Sequence, residues 1–175
     1  FDLVRVDIRQ RTLADGSDFL AINPKGYVPV LELEDGRYLT EVPAIVQYIA
    51  DRIPECGLAP RPYTLERYQL QEWLAFISSE LHKAFVALFK PDTPEEFKQS
   101  LRESLAGHLG YVAGRLEGRN YLLGDRFTVA DGYLFAVLGW GNAVEIDIGQ
   151  WPPLLAFLER VGERPSVRDA LAAES

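Results

Sequence analysis

The stretch NPKGYVPVLELEDGRYLTEVPAIVQYIAD, residues 23–51, sets a proline inside a β-strand pattern and an acidic residue at the mouth of a helix. Proline lacks the donor that a strand ladder uses, so Pro29 marks backbone that does not pair with a neighbouring strand. With a cis Val28–Pro29 bond the chain bends and turns the Val28 N–H and C=O outward, a donor and acceptor suited to a short extended peptide. A trans proline at the first position of an ordinary strand fits the same residues. Glu41 stands just before Pro43, where a helix opens. The free N–H groups of that end attract a carboxylate, and the Glu41 carboxylate can take an ammonium group. The pair suits the zwitterionic end of an α-amino acid. The plainer reading is that Glu41 only complements the helix start electrostatically.

Two further places carry reactive or hydrogen-bonding side chains at informative spacing. His82 lies just off the apolar stripe of a long helix, among Ser78, Ser79, Lys83 and Phe85; read by itself it is an interfacial histidine without chemistry. In FTVAD, Thr128 can cap the following helix while Asp131, three residues on, returns a bond to the Thr128 backbone. That arrangement is structural.

These residues need elements to position them. Val4, Val6 and Ile8 alternate as in a strand over residues 1–8, followed by a polar loop or short helix over 9–20 and a second strand over 28–34. Asp35-Gly36 signals a hairpin, so residues 37–40 return antiparallel. Ala44, Ile45, Tyr48 and Ile49 then give one face of a short helix. The first 53 residues read as a small α/β unit. Residues 54–62, rich in proline and poor in apolar periodicity, read as a linker. Beyond it, residues 63–175 are helical. Leu70, Trp73, Leu74, Ile77, Leu81, Phe85 and Leu88 keep three- and four-residue spacing, and Leu101, Leu105, Leu109, Val112 and Leu116 repeat it. Further helices begin at FTVAD, at WPPLL and at RPSVR.

Composition narrows the function classes. A chain of 175 residues with 47% hydrophobic and 25% charged residues can bury one sizeable core or two small ones. Its formal charge of −8, with no basic stripe, argues against a nucleic-acid partner. The single cysteine, Cys56, cannot form an internal disulfide, and no His/Cys cluster has metal-ligand spacing, so no metal is expected. No apolar run reaches the roughly 18 to 20 residues of a membrane span, and the cytosol is the simplest location.

The order of strand-proline, acid before a helix, linker and Thr-x-x-Asp helix start resembles the soluble glutathione transferases. ELHKAF, LFKPDTPEE and RFTVADGYLF are similar to the bacterial beta class. The resemblance implies an α+β two-domain fold, a thioredoxin-like N-terminal domain followed by an all-α bundle. It implies a cis bond before Pro29, with Val28 pairing the cysteinyl backbone of glutathione and Glu41 with Val42 holding the γ-glutamyl group. Val42 departs from the Ser or Gly common there, which removes a hydroxyl contact and leaves the backbone N–H. By the same resemblance His82 is an auxiliary catalytic residue near the glutathione sulfur, with Ser79 beside it in the binding set. The resemblance also lets Arg11 reach the glycyl carboxylate; a solvated arginine is the other reading of that position. Glutathione is then the cosubstrate, a small electrophile the second substrate, and the assembly a homodimer with no nucleic-acid or membrane partner. The alternative is a non-catalytic glutathione-binding scaffold of the same fold. Tyr133 and Trp140 read as core or cleft residues, and His108 as structural or exposed. The resemblance also leads us to expect a preceding strand and helix of about 20 to 25 residues, ending that strand with the main thiol-activating residue, a Cys in the beta class.

Overall fold

The computed structural model describes residues 2–174. The chain divides into two compact units, residues 1–52 and 53–175.

In the first unit, β1 (Val6–Asp7) pairs antiparallel with β2 (Thr12–Leu13), Val6 opposite Leu13. This corrects the expected strand over residues 1–8, of which Phe1 lies outside the described residues. Val4 and Ile8 are 66% and 59% exposed, so the apolar side of the alternation buries little and only two residues keep a partner. The expected loop or short helix over 9–20 holds β2 and then a short 3-10 turn, Phe19–Ala21, capped by the Asp18 carboxylate on the Leu20 N–H. Phe19 fills the interior of this unit at 3% exposure.

β3 (Val30–Glu32) and β4 (Tyr38–Thr40) form an antiparallel hairpin with Val30 opposite Thr40. Its turn closes through Gly36 N–H to Leu33 C=O at 2.9 Å and Leu33 N–H to Arg37 C=O at 2.8 Å. Gly36 has φ 79°, a left-handed conformation that glycine adopts without the Cβ penalty. The Asp-Gly pair thus turns the chain as its sequence suggests. Helix α1 (Val42–Arg52) follows at once, with Pro43 in its first turn. Its buried residues are Ile45 and Ala50, whereas Ile49 is 48% exposed. The inward face is therefore rotated from the one expected, with the small Ala50 in place of Ile49.

The second unit contains six α-helices among the described residues. Helix α2 (Leu65–Phe76) starts at Thr64, whose hydroxyl accepts the Arg67 N–H. It passes into a π-helical segment, Ile77–His82, and continues as α3 (Lys83–Phe89). Regular spacing suggests one uniform helix here. The core positions Leu70, Ile77, Leu81 and Phe85 are indeed fully buried, but the widened turn between them is not visible in that spacing. Helix α4 (Glu95–Leu116) buries Leu105, Leu109 and Val112. Helix α5 (Val129–Leu138) runs through the interior, and α6 (Pro152–Gly162) and α7 (Pro165–Glu174) close the chain. α4 packs on α3 and α6, and α5 on α2 and α6, around Leu74, Leu134, Leu138, Leu154 and Phe157. No described helix is long and apolar enough to cross a membrane.

Candidate functional site

In the first unit the loop from Asn23 to Pro29 is held from inside. Asn23 is 2% exposed. Its amide donates to the Tyr27 C=O at 2.7 Å and accepts the Lys25 N–H at 3.2 Å. A buried side-chain amide that meets two backbone groups fixes the loop as firmly as a short stretch of ladder. The loop delivers Val28, 41% exposed, to a cis bond with Pro29. The β3–β4 register begins at Val30 and Thr40, so Val28 and Pro29 leave the ladder at the same end as Glu41 and Val42. Four of the residues singled out in the sequence therefore meet at one end of one hairpin.

Glu41 has φ 73°, a left-handed conformation that costs a non-glycine residue about 1–3 kcal/mol. Its carbonyl accepts the N–H groups of Ala44 and Ile45, each at 3.0 Å, so the unusual backbone turns β4 directly into α1. The Glu41 carboxylate pairs with the Lys25 ammonium, which also donates to the Thr40 hydroxyl at 2.7 Å. Lys25 sits inside the quoted stretch, but its role escaped the sequence because the partner lies 16 residues away. Arg11, also at positive φ, 57°, lies against the same loop. A Cβ on Gly26 would stand 3.4 Å from Arg11 Nε, so this glycine, at φ 68°, admits the guanidinium. The loop and helix start thus carry two cations, one carboxylate and a backbone edge outside the ladder.

Ser79 and His82 belong to the second unit. Ser79 is exposed and its hydroxyl donates to Glu80 at 2.7 Å. His82 ends the π-helical segment, with Nδ1 2.7 Å from the Tyr133 hydroxyl. The hydroxyl donates when the ring carries its proton on Nε2 and accepts when the proton is on Nδ1. Trp140 meets the His82 ring edge-on at 4.9 Å between centroids, with Phe89 on the indole at 5.9 Å. An imidazole oriented by a phenol and walled by an indole is restricted in both χ angles. Tyr133 is 7% exposed. It reads as a core or cleft aromatic from sequence, and nothing at a separation of 51 residues announces its bond to His82. His108 stands edge-on to Phe76 at 5.7 Å, with Nε2 3.9 Å from Glu80.

What aims Tyr133 is the start of α5. The Asp131 carboxylate, fully buried, accepts the Thr128 N–H at 2.7 Å, the Thr128 hydroxyl at 2.9 Å and the Leu122 N–H at 2.8 Å. Burial pushes its pKa above the ordinary carboxylic value, against the lowering effect of those bonds. The Thr-x-x-Asp motif is therefore a capping box that also ties down the preceding loop at Leu122.

Two family models cover most of the chain: the glutathione S-transferase N-terminal domain matches residues 1–52, and the C-terminal domain matches residues 76–165. The chain belongs to the glutathione S-transferase family. Glutathione S-transferase GstA of Escherichia coli O157:H7 is 47% identical over 174 residues, 99% of this chain and 87% of that protein. A bacterial beta-class glutathione S-transferase of Sphingomonas chungbukensis superposes with a TM-score of 0.96 at 47% identity, covering 100% of this chain and 87% of that one. A sphingomonad glutathione S-transferase solved in complex with glutathione gives 0.94 at 47% identity over 98% of this chain and 85% of that one. The glutathione S-transferase fold accounts for the two units, a small thioredoxin-like domain with few strands and a helical domain. The chain is a transferase, and the reading as a non-catalytic scaffold is not favoured by relatives of this identity.

Proposed function

We propose that this glutathione S-transferase holds glutathione at the hairpin end of its first unit. The Val28 backbone pairs with the cysteinyl residue beside Pro29. Glu41 takes the ammonium group and the Val42 N–H the carboxylate of the γ-glutamyl end. Arg11 takes the glycyl carboxylate, and Lys25 balances the charge of Glu41. The observation that carries this reading is Glu41 itself, a non-glycine residue at φ 73° directly before a helix. Backbone strain of that kind persists where surrounding structure enforces it, and it collects at binding sites. The residues fit the ligand's chemistry: an anion and a helix start for a zwitterion, a cation for a carboxylate, and a strand edge for a peptide.

His82 is proposed to act on the sulfur, accepting a hydrogen bond from the thiol or supporting the thiolate that attacks a small electrophile. With Nδ1 bonded to the Tyr133 hydroxyl, this chemistry runs through Nε2. Ser79, bonded to Glu80, serves as the outer member of the same set. Steady-state turnover of glutathione with a chromogenic aryl halide tests the reading. Saturation in glutathione is expected, with a lower kcat in His82→Ala and a raised KM for glutathione in Glu41→Gln. The same two effects in a Lys83→Ala control would remove the assignment.

The protein is further proposed to be a homodimer. Tyr68, Phe89, Phe97 and Tyr111 are 57%, 44%, 54% and 52% exposed, leaving large apolar side chains outside the core of the second unit. Between α2 and α4, Trp73, Phe76 and Tyr111 line a groove of about 210 Å³ with Glu72 and Arg115 at its rim.

A further inference from the structure

A cavity of about 600 Å³ opens within the second unit, lined by none of the residues proposed to hold glutathione. One wall is the segment from Pro54 to Arg61, which begins with a 3-10 turn, Pro54–Cys56. That wall is pinned at two points: Val129 N–H donates to the Leu58 C=O at 2.9 Å, and Arg67 Nε donates to the Pro60 C=O at 2.7 Å. The opposite wall is Arg126 and Phe127, just before α5, with Arg164 from the end of α6. The Arg164 guanidinium lies 4.0 Å from the centre of the Phe127 ring. Its Nε is buried and has no hydrogen-bond partner among the described residues.

The lining is unusual for this chain. On a protein of net charge −8, the cavity gathers Arg61, Arg126 and Arg164 against Glu55 and Glu66. Guanidinium groups recognise carboxylates in a bidentate way. The volume lies within the range of roughly 300–1,000 Å³ typical of sites for small organic ligands. The wall also carries Cys56, exposed, the single thiol of the sequence. A pinned cavity with three guanidinium groups and one thiol fits a peptide that carries carboxylates and a sulfur that thiols can attack.

We propose that this cavity is a second binding site, for glutathione disulfide, and that Cys56 captures half of it. The Cys56 thiolate attacks one sulfur of the bound disulfide. A bond forms between Cys56 Sγ and that sulfur, the disulfide bond breaks, and the other glutathione leaves as a thiolate that takes up the proton Cys56 gave to solvent. The guanidinium groups hold the carboxylates and raise the local concentration of the disulfide at the thiol. The product is a protein–glutathione mixed disulfide, reversed by excess glutathione. This site does not depend on the hairpin site of the first unit.

The full protein incubated with glutathione disulfide, then digested and mapped by mass, tests the proposal. One glutathionyl group is expected on the Cys56 peptide and is absent in Cys56→Ser. In the Arg61→Ala/Arg126→Ala variant the rate at Cys56 should fall about tenfold, while the rate with neutral bis(2-hydroxyethyl) disulfide stays within about twofold. Equal slowing with both disulfides would mean the thiol has merely lost access. An unchanged rate with glutathione disulfide would mean the arginines hold nothing; either result overturns the site. Arg164→Lys keeps a cation at the back of the cavity and should slow only the charged reagent. Aryl halide turnover, measured alongside, reports separately on the transferase site.

Discussion

Glu41 joins two properties that rarely coincide, a left-handed backbone and a carboxylate held by a cation. Its carbonyl starts α1, so side chain and backbone can be separated by mutation. Glu41→Gln keeps the shape and removes the charge. Loss of a charge-assisted hydrogen bond of about 1.5–3 kcal/mol corresponds to roughly tenfold or more in glutathione affinity, and calorimetry should show it with little change in melting temperature. Glu41→Gly relieves the backbone while deleting the carboxylate. It should melt above Glu41→Gln, which lacks the same charge, even as it weakens glutathione, and a melting temperature below that of Glu41→Gln would show that the positive φ costs nothing. In the proposed chemistry Tyr133 acts through His82, as a positioning residue. Tyr133→Phe is expected to lower kcat severalfold with KM for glutathione nearly unchanged, because the imidazole loses its anchor and the peptide contacts do not. A shift in the pH dependence of kcat should accompany it, which a simple packing defect would not produce.

At the scale of the element, the start of α5 depends on one carboxylate. Asp131 meets two backbone N–H groups and a hydroxyl in full burial. Asp131→Ala leaves those donors without an acceptor and removes the cap, a loss of about 2–4 kcal/mol that denaturant unfolding should report. The pH dependence has a definite sign. Because burial raises the folded pKa of Asp131, the folded state binds its proton more tightly than the unfolded chain does. The stability contributed by this ionisation is fully present below about pH 3.9 and is lost as the pH rises through the raised folded value. Wild type minus Asp131→Asn should therefore be largest at the acid end and shrink as pH rises, levelling off above the folded pKa. A difference that grew with pH would show that the three hydrogen bonds outweigh burial. The π-helical turn is the second element-scale feature: it ends on His82, and a widened turn inside a long helix marks many functional positions.

For the whole molecule, the question is what covers the aromatic side chains that the second unit leaves outside. Sedimentation at micromolar concentration is expected to give a two-fold dimer, and Tyr68→Glu or Tyr111→Glu should shift it towards monomer by placing a charge in an apolar contact. A monomer of unchanged size in wild type would assign those side chains to the ordinary exposed apolar surface of a folded chain. The charge of −8 disfavours polyanionic partners for the molecule as a whole. The arginine-lined cavity beside Cys56 is a local exception to that field.

Much of this protein was legible along the chain. Periodicity located the stretch from α2 to α3, read as one helix, and α4, because burying one face of a helix imposes its spacing on the sequence, while the starts FTVAD, WPPLL and RPSVR marked α5, α6 and α7. Asp35-Gly36 announced the hairpin, and Thr128 with Asp131 announced the capping box, since turns and caps are made by neighbours. The same locality limits what the sequence can say. Residues 1–8 alternate like a strand, yet a strand exists only where a partner pairs with it, and two residues have one. Ile49 reads as buried and is exposed, because the rotation of α1 is set by what it packs against. The π-helical turn, the Lys25–Glu41 pair, the Tyr133–His82 bond and the gathering of Arg61, Arg126 and Arg164 join residues far apart in sequence or depend on packing. Hydrogen bonds and cavities of that kind are decided by distance in space, so tertiary structure alone determined them. The sequence by itself determined which residues could take part.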